Sequence, residues 1–188
     1  MHKALEKYLS DESVRQILTV QCLEGSDAVV SFFVKTDGGW KEAGKGQAFI
    51  GRNGCGKERE GDAKTPLGDF GIRRAFGIKP NPGTSIEYLQ IGPTTVACDE
   101  NCPYYNTIID IASVGQYQGE KMLEIVPQYD YGLETDFNNR NIYPLGSAIF
   151  IHCKGLKTYT GGCVALDEPF METILRKAES GMRIIIEK

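Results

Sequence analysis

Apolar residues along this chain come in short bursts, separated by polar stretches that carry glycine. That pattern predicts many short strands joined by turns. The longest apolar runs are four residues, 148–151 and 163–166. A membrane-spanning helix needs about 20, so none is expected. Strands are predicted over 18–23 and 28–35, followed by a hairpin turn at Thr36-Asp37-Gly38-Gly39 and a further strand opening at Trp40. Residues 48–50 read as a short strand, 51–61 as an exposed loop and 65–68 as a turn; 69–73 alternate polar and apolar, as a half-buried strand does. In the middle of the chain 87–91, 107–111 and 123–126 are strand candidates, separated by polar, aromatic loops at 99–106 and 128–141. Short helical pieces are predicted at 2–9 and 11–18.

The C-terminal third has the clearest pattern. Residues 148–152 read as a buried strand, 154–160 as a polar loop, and 161–166 as a glycine turn opening another strand. A helix is predicted at about 167–180. Asp167 suits its N-cap, Pro169 its first turn, and Phe170, Met171, Ile174, Leu175 and Ala178 share one face, with Gly181 as the stop. Three isoleucines within 183–187 predict a last strand. The expected class is mainly β with a few short helices.

Composition supports this. The 188 residues include 22 glycines and eight prolines, which favours turns and hence strands. Hydrophobic residues are 41% and charged residues 24%, enough apolar surface for a core without a disulfide framework. The length fits one domain over 1–188, with a short N-terminal arm at about 1–16. The net charge of −4, with no basic stretch, excludes nucleic acid as the default partner. The first fifteen residues hold no signal-peptide core. The expected location is the cell wall or another extracytoplasmic site if an export signal lies outside this sequence, and the cytoplasm otherwise.

Two histidines restrict the chemistry. His2 sits where chains fray, so any imidazole catalysis falls to His152. Cysteines stand at 22, 55, 98, 102, 153 and 163, with irregular spacing. Cys98 and Cys102 can pair across a turn, or begin a zinc site completed from His152, Cys153 and Cys163. Cys153 follows His152 on a predicted strand, so the two point to opposite faces and do not easily share a metal. His152 ends one strand and Cys163 starts the next. A hairpin closed by 154–160 would set them side by side, with the imidazole taking the thiol proton and the thiolate attacking a carbonyl. Gly161 and Gly162 let a substrate carbonyl approach the backbone. The N–H groups of Gly162 and Cys163 are then expected to face a developing oxyanion.

The stretch Gly146-Ser147-Ala148-Ile149-Phe150-Ile151-His152, followed by Thr160-Gly161-Gly162-Cys163-Val164-Ala165-Leu166, resembles the catalytic segment of L,D-transpeptidases with the YkuD-type domain. Lys57-Glu58-Arg59-Glu60-Gly61-Asp62 and Thr65-Pro66-Leu67-Gly68-Asp69-Phe70 resemble a second block of that family, and Asp99 with Tyr104-Tyr105-Asn106 a third. The match spans roughly 45–170, in the family's order. It departs where many members carry His or Lys at the place of Gly161, or Arg or Asn at that of Ala165, and in a shorter His–Cys spacing.

The resemblance implies a β-sandwich and a peptidoglycan L,D-transpeptidase. Cys163 is then the nucleophile, His152 the base, and Gly162 with Cys163 part of the oxyanion hole. A backbone carbonyl near the histidine, here that of Cys153, is expected to orient it. Thr160, Gly161, Tyr104, Tyr105 and Asn106 become substrate-contact candidates, with 79–141 capping the cleft. The implied partners are peptidoglycan stem peptides. Cys163 would attack a stem carbonyl, release a terminal D-amino acid and pass the acyl group to an amine. No metal or cofactor is implied, because the thiolate is the nucleophile. Family members are acylated on this cysteine by carbapenems. The alternatives are an L,D-carboxypeptidase or another thiol amidase on the same fold, and a zinc-stabilised, non-catalytic wall-binding module.

Overall fold

The computed structural model describes residues 3–115 and 117–188, so His2 lies outside the described residues. A single helical turn, α1 (Lys3–Glu6), precedes an antiparallel meander of β1 (Gln16–Cys22), β2 (Asp27–Thr36) and β3 (Gly39–Phe49). Asp37 and Gly38 form the predicted turn between β2 and β3, with Thr36 paired to Gly39. Next come β4 (Gly68–Gly77), β5 (Tyr88–Gln90), and the hairpin of β6 (Thr95–Cys98) and β7 (Thr107–Asp110). After α2 (Ile111–Val114) and β8 (Glu120–Lys121), two 3₁₀ turns at Met122–Glu124 and Gln128–Asp130 lead to β9 (Gly132–Thr135). The chain ends with β10 (Phe150–Cys153), β11 (Val164–Leu166), α3 (Glu168–Lys177) and β12 (Arg183–Glu187).

Nine strands share one sheet in the order β12-β1-β2-β3-β11-β10-β9-β4-β5. β4 also pairs with β12, along 68–71, and takes β5 further on, along 75–77. Eight strands therefore close into a ring with β5 at its margin. This is a barrel-like closure rather than the two open sheets of a sandwich, and closure removes the edges that open sheets expose. β7, β6 and β8 form a separate small sheet.

The core follows from alternation. Leu18 and Val20 of β1, Val30 and Phe32 of β2, and Ile184 and Ile186 of β12 are all buried in one cluster. Each such side chain contributes about 2 kcal/mol by leaving water. α3 adds Met171, Ile174 and Leu175 at helical spacing. Its Phe170 ring lies on β3, where a Cβ at Gly44 would stand 2.7 Å from the ring; glycine there makes the seat.

Other expectations change. Residues 11–18 are not helical, because β-branched Ile17, Thr19 and Val20 belong to a strand paired on both sides. The N-terminal arm packs, with Leu5, Tyr8 and Val14 buried against Ile17 and Ile185. Residues 123–126 are not a strand; Met122–Glu124 is a 3₁₀ turn. β6 and β9 arise where no strand was expected. β9 buries Glu134 against Arg74, with Nε to Oε2 at 2.7 Å, a long-range pairing that no local pattern reveals. Asp167 does not cap α3 through its side chain but reaches Lys154 at 3.2 Å. The helix stops before Ala178, short of Gly181.

Candidate active site

β10 and β11 are neighbours, but parallel, not the hairpin expected from the sequence. Ile151 pairs with Val164 and His152 with Ala165. Residues 154–163 therefore run back along the strand, and Cys163 arrives beside Phe150. The Phe150 N–H donates to Cys163 Sγ at 3.3 Å, and the thiol donates to the Ala148 carbonyl at 3.1 Å. His152 lies two residues beyond Phe150, on the same face by strand alternation. Cys153 points the other way, into the main core, with its thiol 3.6 Å from the Tyr131 carbonyl.

A cavity of about 460 Å³ opens at this point. His152, Cys163, Thr160, Gly161 and Gly162 line it together, as do the charged side chains of Lys57, Glu60, Asp99, Glu120 and Lys157; the sequence marks Lys57, Glu60 and Asp99 only as members of the family-like blocks, and Glu120 and Lys157 not at all. Asp99 and Glu120 lie within or beside the small sheet, so part of the 79–141 stretch does form a wall.

The Nδ1 atom of His152 lies 2.7 Å from the Cys153 carbonyl oxygen. A carbonyl only accepts, which assigns the proton to Nδ1 and leaves Nε2 as the basic nitrogen. The predicted orienting carbonyl is therefore in place. The Tyr129 ring meets the imidazole edge-on, with centroids 5.6 Å apart, and its buried hydroxyl donates to the Glu120 carboxylate. Burial pushes His152 down to about 4 and the Cys163 thiol up to about 12. At neutral pH the pair rests uncharged, with the thiol on the Ala148 carbonyl and not ionised against the imidazole.

The Cys163 loop is tied from two sides. Thr160 Oγ1 donates to the Cys163 carbonyl at 2.7 Å and accepts the Gly162 N–H at 3.1 Å. Thr65 Oγ1 accepts the Gly51 N–H at 2.8 Å and donates to the same carbonyl at 3.4 Å, which explains the Thr-Pro block physically. The Gly162 N–H is thus occupied, contrary to the expectation that it faces an oxyanion, and only the Cys163 N–H remains from that pair of donors. Gly162 has φ +151°, and a Cβ there would come within 2.9 Å of the Lys64 carbonyl. Lys57 runs beneath this loop. Its ammonium is buried and paired with Asp62 at 2.9 Å, 3.6 Å from where a Gly162 Cβ would stand. Asp62 accepts the N–H groups of Glu58, Arg59 and Lys64 as well; together with Lys57 these outweigh burial and hold its carboxyl below the usual range.

Tyr104, Tyr105 and Asn106 do not line the cavity. Tyr104 packs edge-on against Tyr117 in a satellite cluster. The Tyr105 hydroxyl donates to Glu60 at 2.6 Å and accepts the Gly146 N–H at 2.9 Å. Asn106 accepts the Ala148 N–H at 3.0 Å and donates to the carbonyls of Phe137 and Asn138. These side chains are scaffold behind the wall. Ala148 itself holds φ +49°, an uncommon conformation for a residue with a Cβ, at the very carbonyl that receives the thiol. The zinc ligand set is not assembled: Cys98 and Cys102 belong to the satellite cluster, and among the described residues no three His, Cys, Asp or Glu side chains converge as for a metal. Among the same residues no helix is long and apolar enough to cross a membrane.

A family model, the YkuD L,D-transpeptidase catalytic domain, matches residues 31–186. No curated protein matches the chain. Among solved structures the fold resembles that of the helical cell shape determining protein Pgp2 from Campylobacter jejuni. A mutant of that protein gives TM-score 0.54 at 18% identity, covering 98% of this chain and 53% of the other. Another structure of Pgp2 gives 0.51 at 14% identity, covering 100% and 55%. The chain spans about half the length of these structures.

Proposed function

The chain belongs to the family of YkuD L,D-transpeptidase catalytic domains, and from that premise we propose that it transfers acyl groups of peptidoglycan stem peptides through Cys163. The observation that supports this most is that Cys163 and a tautomer-fixed, uncharged His152 line one cavity. On substrate entry the thiol turns from the Ala148 carbonyl to Nε2 of His152. The imidazole takes the proton as Sγ bonds to the stem carbonyl carbon. The oxyanion faces the Cys163 N–H. Collapse breaks the C–N bond, and the imidazolium gives its proton to the departing D-amino acid. An acceptor amine then attacks the thioester, loses a proton to His152, and the C–S bond breaks to restore the thiol.

Thr160 and Gly161 at the cavity mouth are the substrate contacts in this reading; Tyr104, Tyr105 and Asn106 support the wall. The chain acts as one catalytic domain on the cell wall, outside the cytoplasm, and a role in cell shape is in keeping with its similarity in fold to Pgp2. The test is product analysis with a stem tetrapeptide, with and without an amine acceptor. Cross-linked dimer plus free D-amino acid supports a transpeptidase. Tripeptide alone in both cases makes the same thiol a carboxypeptidase. An unchanged tetrapeptide with folded protein overturns the reading.

A further inference from the structure

Away from the cavity, Cys98 ends β6 and Cys102 follows in the turn to β7, and their sulfurs lie 3.0 Å apart. Both are free thiols. The β6–β7 turn that carries both is already closed by backbone bonds, Asn106 N–H to the Cys98 carbonyl at 2.8 Å and Tyr105 N–H to the Cys102 carbonyl at 3.0 Å. We propose that Cys98 and Cys102 form a reversible dithiol–disulfide site, oxidised by a small-molecule disulfide.

The geometry orders the steps. Cys102 is partly exposed, whereas Cys98 is 1% exposed with its thiol 3.4 Å from the Gln118 carbonyl. Burial pushes the Cys98 thiol up to about 12, so Cys102 meets the oxidant first. Its thiolate attacks one sulfur of the external disulfide and expels the other as a thiol, leaving a mixed disulfide. Cys98, deprotonated in turn, attacks the Cys102 sulfur and expels the second external thiol. The protein gives up two protons and two electrons, and the oxidant becomes two thiols.

The enclosed loop is only five residues, so closing it removes little chain entropy. The bond is therefore a switch in a preformed turn and not a staple for the fold. Its position gives it a reach into the site. The same turn carries Asp99 to the cavity wall and Asn106 to the Ala148 N–H.

The test treats the full chain with oxidised glutathione, quenches with a maleimide under denaturing conditions, and reads intact mass and mapped peptides. The expected result is that two of the six thiols escape alkylation, that the link maps to Cys98–Cys102, and that dithiothreitol restores both. Amide exchange across 99–106 slows in the oxidised form. With Cys98→Ser, glutathione stays on Cys102. Full alkylation of all thiols would overturn the proposal. So would a bond mapped instead to the neighbouring pair Cys22 and Cys55, or unchanged exchange across the turn.

Discussion

Replacing Asn106 with alanine separates scaffold from substrate contact. Asn106 is 8% exposed. Its side chain bonds the Ala148 N–H and the carbonyls of Phe137 and Asn138, at 2.9 to 3.0 Å. Its backbone has φ +59°. Asn106→Ala leaves a buried N–H without a partner, at about 2 kcal/mol, and two carbonyls less well satisfied, at about 1 kcal/mol together. It also puts a residue less tolerant of the left-handed region there, at about 1 kcal/mol. The sum is about 4 kcal/mol, or a fall in Tm of about 12 °C for a chain of this size. Urea and thermal unfolding measure it. Because Ala148 loses its anchor, the rate of Cys163 acylation falls with stability, at unchanged KM for a stem peptide. A variant of wild-type stability whose KM alone rises would refute the scaffold role and return Asn106 to the cavity wall.

Other expected outcomes concern charge and the two cysteines Cys153 and Cys163. Cys163→Ala abolishes acyl-enzyme formation, while Cys153→Ala keeps it at a packing cost of about 1 kcal/mol; mass spectrometry with a stem peptide or β-lactam decides, and a dead Cys153 variant contradicts the strand-face argument. His152 falls from 6.5 to about 4 on folding, so the unfolded state binds more protons between those values. Its stabilisation is complete above pH 6.5 and is lost as pH falls toward 4, on the order of 3 kcal/mol. Urea midpoints across that window show the slope, and His152→Gln removes it. Lys57→Met takes away the cation that favours the Cys163 thiolate, so the pH at which iodoacetamide alkylates Cys163 rises; an unmoved profile shows that Lys57 only supports Asp62.

The meeting of His152 and Cys163 in one cavity was legible in the sequence, because the other histidine sits beside the N-terminus and two glycines directly precede Cys163. Strand alternation alone placed Cys153 in the core. The direction of β11 was not legible: a seven-residue loop permits a hairpin or a return crossover, and the pairing with β3 and β9 decides between them. That Lys57, Glu60 and Glu120 line the cavity was hidden, because charged residues in polar loops look like solvated surface until the fold gives them partners. Asp62, Tyr105 and Tyr129 are those partners. Ala148 carried no signal at all, since its positive φ goes with a bond to Asn106, 42 positions away. Tyr104, Tyr105 and Asn106, the substrate-contact candidates, lie off the cavity lining for the related reason that side chains able to bind a ligand also serve as packing and hydrogen-bonding props.

The most direct test of the central claim, that Cys163 is a nucleophile in an acyl-transfer site, is intact mass after incubation with a carbapenem. The account predicts that wild-type protein gains the mass of one carbapenem and that Cys163→Ser gains none. No adduct on folded wild-type protein, or an equal adduct on both, would contradict it.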